Sequence, residues 1–363
     1  MAGVDLKPEQ AMSRLTASVI GGGVGGRLSL DALAASPFYD LRAAADLREE
    51  VRAALTGRYP GLRTYASAAD MLADSPTDVV CVSTFAPSHE ELTLAAIANG
   101  VRGLLVEKPL GHTAASGRRL VAAVQAAGLP MVVPHGLNAL AHSLEIIERV
   151  HNGEIGRLQS VLVECTQWDI INAGIHWLTF VMALTGNEPV VSVMAQCDTS
   201  TRTYRDGMQV ETIAVTYAET QSGVRVIMET GDDVRISRPG KGLLFRINGD
   251  RGQIEFWAWD PGYWLVNREH PDGAAFHPEA LPVSGHRKHL ESLAGMMISG
   301  QHDDRLVQSS LLALEVVEAA YLSSRCRCRV TFPLAEFEPP RPNDWDPGSP
   351  YSGTGGGRDG RQL

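Results

Sequence analysis

Residues 17–26 read Ala17-Ser18-Val19-Ile20-Gly21-Gly22-Gly23-Val24-Gly25-Gly26, an apolar run that breaks into five glycines within six residues before an amphipathic stretch begins. This order predicts strand, tight turn and helix, the opening of a βαβ unit. Gly21, Gly23 and Gly26 fill the three slots of G-x-G-x-x-G. The first slot permits the turn, the second lets backbone approach a pyrophosphate, and the third lets helix and strand pack closely. With Val24 and Gly25 they form a turn whose N–H groups, at a helix N-terminus, suit a diphosphate. Asp46 follows the last glycine by 46 − 26 = 20 residues, at the end of the second apolar run, where a carboxylate meets a ribose diol. The competing reading is a glycine-rich turn in an α/β fold that binds nothing. Asp46 would repel a 2′-phosphate, so NAD is the expected cofactor. Arg48 could contact such a phosphate, which keeps NADP possible.

Outward from this turn, residues 14–134 repeat one cadence of short apolar run, polar turn and amphipathic stretch. Strands are expected at 17–20, 41–45, 78–83, 101–106 and 131–134, with helices near 24–35, 47–57, 67–74, 88–99 and 113–127. Continuous apolar runs are what parallel strands buried on both faces require. After residue 135 a helix near 139–152 gives way to longer alternating runs at 158–166, 190–197, 209–218, 223–230, 242–248 and 252–259. Two helices near 286–299 and 305–323 and a strand at 327–332 are expected to close that domain, and Cys326 and Cys328, alternating with Arg325, Arg327 and Arg329, read as lying on a structural strand. The fold class is therefore α/β: an N-terminal Rossmann doubly wound parallel sheet, then a C-terminal α/β domain with a large open, mostly antiparallel sheet. The boundaries read 1–14 as an N-terminal extension, 15–135 as the dinucleotide-binding domain, 136–332 as the substrate and oligomerisation domain, and 333–363 as a flexible Pro/Gly-rich tail.

Composition narrows the function classes. A chain of 363 residues, 44% apolar, can bury its own cores without staples. Its 32 basic against 42 acidic side chains leave a formal charge of −10, which opposes nucleic acid and anionic membranes. Cys81, Cys165, Cys197, Cys326 and Cys328 contain no CxxC pair and read as reduced thiols of a cytoplasmic protein. No run of 18 uncharged apolar residues is evident, so neither a signal peptide nor a membrane span is expected. His286 and His289 have no carboxylate or cysteine partners at ligand spacing, so no metal site is expected. Trp257 and Trp259, two apart, read as core.

The fifth apolar run ends in Glu107-Lys108-Pro109-Leu110. At the carboxyl end of a parallel strand a lysine faces the crevice where ligands bind and can polarise a substrate oxygen; a solvent lysine at a strand end is the alternative. Taken with GGGVGG at 21–26, Asp46, the strand and turn 79–89, NGEIG at 152–156, NAGIHWLTFVMALTG at 172–186 and EVVEAAYLSS at 315–324, this motif resembles the glucose-fructose oxidoreductase / inositol dehydrogenase / rhizopine-catabolism (Gfo/Idh/MocA) superfamily over about residues 15–332. The resemblance implies NAD(P)-dependent hydride transfer at a sugar, amino-sugar or cyclitol hydroxyl, in a homodimer or homotetramer joined through the C-terminal sheet. It places Ser83, Thr84, His89 and Glu107 beside the cofactor, together with Lys108. Its D-x-x-x-H pattern falls on Asn172 to His176, so the histidine is kept and the aspartate is replaced. At α-helical spacing the two share one face. Asp169, three residues earlier, either restores the missing carboxylate or caps the helix, and Trp168 beside it could lie against a sugar ring. The expected catalytic set is Lys108, His176, Asn172 and Asp169, and the expected substrate contacts are Lys108, Trp168, Asn172 and His176. Two other functions fit the same motifs: a lyase or glycosidase that oxidises and re-reduces its substrate on tightly held NAD, and a dinucleotide-binding regulator.

Overall fold

The computed structural model describes residues 13–198, 200, 203–236, 238–338, 348, 357 and 358. Most of the expected N-terminal extension and tail lies outside these residues. The chain divides into two units. The first holds the chain up to Gly111, with Ala115–Pro134 and Val283–Val307; the second holds His112–Ala114, His135–Pro282 and the chain from Gln308.

The first unit is a parallel sheet of β1 (Leu15–Ile20), β2 (Tyr39–Ala45), β3 (Arg63–Tyr65), β4 (Val79–Val82), β5 (Gly103–Val106) and β6 (Met131–Val132), in the order β3-β2-β1-β4-β5-β6. Its crossovers are α1 (Val24–Ala35), α2 (Glu49–Arg58), α3 (Ala68–Asp74), α4 (His89–Ala98) and α5 (Ala114–Ala126). Strand order reverses between β1 and β4, and ligands of open α/β sheets bind at the carboxyl ends of strands beside that point. The three-residue β3 was not apparent as a strand from its sequence, Arg63-Thr64-Tyr65, which lacks an apolar run.

In the second unit α6 (Ala141–His151) leads into β7 (Leu158–Thr166), a π-turn at Ile170–Gly174 and α7 (Ile175–Leu184). Then come β8 (Val190–Cys197), β9 (Thr203–Arg205), β10 (Met208–Val210), β11 (Ile213–Thr220), β12 (Arg225–Gly231), β13 (Leu243–Gly249), β14 (Gln253–Trp257), β15 (Tyr263–Val266) and β16 (Ala274–Phe276). The run expected as one strand over 209–218 is two, because Glu211 and Thr212 turn inward and are buried between β10 and β11. One face of the large sheet is filled by Val161, Val163, Met228, Phe245, Ile247 and Phe256, against which Phe180 of α7 packs edge-on.

The next helix, α8 (Gly285–Ser299), belongs to the first unit. Its Leu290, Leu293, Ala294 and Met296 join the core formed by Leu33, Tyr39 and Leu105, and the Tyr39 hydroxyl donates to the Leu290 carbonyl at 2.5 Å. The second unit is therefore not the contiguous stretch 136–332: an apolar helix face returns to the first core. α9 (Arg305–Cys326) then continues through Cys326 and ends where Arg327 adopts φ 53°, so Cys326 and Cys328 do not lie on a strand as expected. The short β17 (Val330–Thr331) follows, pairing with β8. Among the described residues α9 is long and apolar enough by composition to cross a membrane, with mean hydropathy 1.3, but Glu315 and Glu318 interrupt its apolar run and 61% of that window is buried inside the protein. The large sheet runs β16-β15-β14-β13-β7-β12-β11-β8-β17, with β7 and β12 parallel and the other neighbours antiparallel. A small second sheet, β10-β9-β18, takes its last strand, β18 (Gly357–Arg358), from the tail.

Candidate active site

In the first unit, Gly21 closes the turn after β1 with φ 100°, and a Cβ there would stand 2.3 Å from the Ser83 carbonyl oxygen. A Cβ at Gly26 would stand 1.8 Å from the Gly21 oxygen. Neither position tolerates a side chain, so α1 seats directly against the strand ends. Its N-cap is Gly23, and its first turn carries no capping side chain and no acidic residue. The N–H groups of Gly23 to Gly26 therefore lie at a bare positive helix terminus, which fits the diphosphate of a dinucleotide. At the end of β2, Asp46 is 9% exposed and accepts from Gly22 N at 2.8 Å. It also accepts from the N, Nε and Nη2 of Arg48. Burial works to raise the Asp46 pKa, but these donors outweigh it and hold the carboxyl below the usual range. A carboxylate has about four lone-pair positions, and Arg48 uses three of the four bonds Asp46 receives. For Asp46 to accept a ribose diol, the Arg48 side chain must swing away.

Ser83 and Thr84 follow β4; the Ser83 amide donates to Ile20, and the Thr84 hydroxyl meets Ser88 at 2.8 Å. His89 is fully buried, with the Thr84 and Pro109 carbonyls each 3.0 Å from a ring nitrogen. Burial lowers its pKa, and it braces the turns after β4 and β5 against each other. Glu107 lies against Gly25, accepts from Lys108 N at 3.2 Å and holds His286 Nε2 at 2.7 Å. Burial alone would raise the Glu107 pKa, yet His286, followed by Lys108, keeps it low. His286, dismissed as a metal ligand from spacing, is thus the partner of a buried carboxylate. Lys108 sits half-buried at the β5 terminus.

The second unit holds Asp169, Asn172 and His176. Asp169 is wholly buried and is the N-cap: its carboxylate accepts the Asn172 amide N–H at 2.7 Å and the Asn172 side-chain N–H at 3.2 Å. Its carbonyl accepts from Gly174 N at 3.1 Å, closing a π-turn. The i, i+4 arithmetic of a regular helix therefore fails between Asn172 and His176, because the turn carries an extra residue and the Asn172 amide is committed to Asp169. Arg205 bridges Asp169 at 3.2 Å and Asp232 at 2.6 Å. Glu211 accepts from Ile170 N at 2.7 Å and from the Tyr321 hydroxyl at 2.9 Å. Burial, then the charge of Asp169, push its pKa up to about 7. His176 Nδ1 lies 3.3 Å from Nδ1 of the buried His135. His135 Nε2 in turn meets Ser310 Oγ at 3.0 Å and Thr179 Oγ1 at 3.4 Å.

Trp168 is half-exposed beside Asp169, whereas Trp259, expected in the core, is 57% exposed. It lies over Gly136 and edge-on to Trp177. Sequence reading missed His135, Arg205, Glu211 and His286, since each meets its partner far along the chain; a histidine beside a glycine in His135-Gly136 was the only local sign. Among the described residues no cluster of three or more His, Cys, Asp or Glu could hold a metal ion.

A family model described as an oxidoreductase family with an NAD-binding Rossmann fold matches residues 15–135, and the GFO/IDH/MocA C-terminal domain matches 169–255. The chain is 25% identical over 328 residues to the rhizopine catabolism protein MocA of Rhizobium meliloti, covering 85% of this chain and 95% of that protein. It is 27% identical over 320 residues to D-apiose dehydrogenase of Paraburkholderia graminis, covering 80% and 82%. An oxidoreductase from Agrobacterium radiobacter, crystallised with NAD+, L-tartaric acid and magnesium, shares the fold with a TM-score of 0.75 at 18% identity, covering 88% of this chain and 98% of that one.

Glu211 gives the second unit a defined pH response. Its folded pKa of about 7 exceeds its unfolded value of 4.5, so its contribution to stability is fully present below the unfolded value and is lost as pH rises through about 7. Denaturant unfolding from about pH 5 to about pH 8 should show the wild type losing stability relative to Glu211→Gln, at no more than about 1.4 kcal/mol per pH unit for one proton. A difference constant with pH would show that Glu211 titrates as an ordinary carboxylate.

Proposed function

The chain belongs to the GFO/IDH/MocA oxidoreductase family, and on that premise we propose that it transfers hydride between NAD and a hydroxyl-bearing carbon of a sugar or cyclitol. The observation that carries the reading is a histidine, His176, held by a buried imidazole on a helix anchored by a buried carboxylate, in a chain whose other unit carries a bare glycine-rich helix terminus. NAD, when bound, supplies the hydride acceptor. In the oxidative direction the substrate carbinol loses a proton and a hydride and becomes a carbonyl. His176 takes the hydroxyl proton, and Lys108 donates to the oxygen as its negative charge develops. Gly23 to Gly26 bind the diphosphate through backbone N–H groups, and Asp46 accepts the ribose hydroxyls once Arg48 releases it. Asp169 anchors the helix that carries His176, and Asn172 serves that anchor through its amide. The substrate class is supported by the D-apiose dehydrogenase relative. Trp168 and the exposed Trp259 are the aromatic faces a sugar ring could meet.

The partner-facing surface follows from the large sheet's open side. Met194, Tyr217, Ile227 and Leu162 stand opposite one another across β8, β11, β12 and β7. Met194 is 52% exposed and Val215 on the same sheet 48%, an apolar face that association of copies of this chain would cover. A cytoplasmic location is supported by the five cysteines, all free thiols.

Three measurements check this reading. On a polyol panel, Lys108→Ala and His176→Ala should each lose about 10² to 10⁴ in kcat with NAD affinity kept; near-native turnover in both would remove the site assignment. Calorimetric titration should find NAD bound at least about tenfold more tightly than NADP, about 1.4 kcal/mol. Arg48→Ala should widen that gap by unmasking Asp46, and tighter NADP binding by the wild type would show instead that Arg48 governs the choice. Sedimentation should show a dimer or tetramer that Ile227→Glu breaks; a monomeric wild type would refute the interface.

A further inference from the structure

The last turn of α9 brings two thiols together. Cys326 ends the helix, Arg327 takes φ 53°, and Cys328 follows. A helix that closes on a left-handed residue usually places glycine there, because a side chain in that region costs about 1 to 2 kcal/mol. Here the residue is an arginine, and bonds around it hold the turn. The Cys328 amide donates to the Ser323 carbonyl at 3.2 Å, and the Ser323 hydroxyl donates to the Cys328 carbonyl at 2.6 Å. That hydroxyl also accepts from Ala195 N of β8 at 2.9 Å, and Ser324 Oγ accepts from Cys197 N at 3.0 Å. Both main-chain groups of Cys328 are therefore fixed to the helix, and the helix end is fixed to the sheet, by bonds that use neither sulfur.

The two side chains meet in a thiol–thiol hydrogen bond. Both are partly exposed, whereas Cys81, Cys165 and Cys197 are buried. Cα atoms two residues apart are separated by at most about 7.6 Å, and a left-handed middle residue shortens that into the range of about 4.4 to 6.8 Å that a disulfide spans. We propose that Cys326 and Cys328 form a reversible disulfide, a modification site at the C-terminus of α9 oxidised by low-molecular-weight disulfides such as glutathione disulfide. One protein thiolate attacks a sulfur of the small disulfide and expels a thiolate. The other protein thiol gives up its proton and attacks the protein sulfur of that mixed disulfide, expelling the second thiolate. Two protein thiols lose two electrons and two protons, and the small disulfide takes up both to become two thiols. Burial, followed by the neighbouring thiol, raises the Cys326 pKa against the opposing charge of Arg325, so Cys326 is not an activated nucleophile. What favours the bridge is the position of the second thiol, which makes closure intramolecular. An exposed bridge of this kind is labile: a reducing thiol pool opens it, and an oxidising shift closes it.

The test equilibrates the full-length protein in glutathione buffers of rising disulfide-to-thiol ratio, quenches with acid, alkylates under denaturing conditions and cleaves after glutamate. The peptide 319–336 holds Cys326 and Cys328 and no other cysteine. Its two thiols should be lost together, as a bridge without glutathione adduct, while Cys81, Cys165 and Cys197 still take the alkylating agent. The equilibrium constant for bridging should be at least about tenfold larger in the native protein than in the same protein unfolded in urea, because folding assembles the pair in advance. A pair that stays alkylated at every ratio, that ends as glutathione adducts, or that bridges in the native protein by less than this margin overturns the proposal.

Discussion

A side-chain carbon at Gly26 would stand 1.8 Å from the Gly21 carbonyl oxygen, and one at Gly21 would stand 2.3 Å from that of Ser83. This contact between α1 and the ends of β1 and β4, open only to glycine, is what the cofactor half depends on. It sets the bare N-terminus of α1 at the strand ends, brings Gly22 N within reach of Asp46 at 2.8 Å, and lays Gly25 against Glu107. In the proposed reading the backbone there holds the diphosphate, and side chains select the ribose and brace the turns. Burial works to raise both carboxyl pKa values, and Arg48 on Asp46 and His286 on Glu107 hold them below the usual range instead.

The second unit is built the other way, from side chains. A carboxylate as buried as Asp169 would cost several kcal/mol if left unpaired. Arg205, the Asn172 amides and the start of the π-turn satisfy it together. That network fixes where the helix carrying His176 begins. Glu211, tied to Ile170 N and to Tyr321 of α9, anchors the same turn from beneath. Asp169 therefore caps this turn and pairs with Arg205.

What was legible in the sequence was local. The βαβ cadence, the glycine turn with Asp46 and the long strands β7, β8 and β12 follow from periodicity within a few residues. β3, β9, β15 and β16 are three or four residues long, too short for a pattern to form. An α-turn and a π-turn differ by one hydrogen bond, and nothing in Ile170 to Gly174 announces which is made. The return of α8 to the first unit depends on a core partner such as Tyr39, 251 residues before Leu290. His135 and His176 are 41 residues apart, Asp169 and Arg205 36, and Glu107 and His286 179. Such pairs exist only once the chain has folded, which is why the residues that tune this site were silent while those that resemble a motif were not.

In the proposed reaction hydride passes directly from a carbinol carbon to NAD. The most direct measurement uses a polyol that the enzyme oxidises, deuterated at the carbinol carbon, with mass spectrometry of the reduced cofactor. The reduced nicotinamide should carry the deuterium, and turnover should slow with the heavy substrate. Reduced cofactor without the label, or oxidised substrate with no reduced cofactor formed, would contradict it.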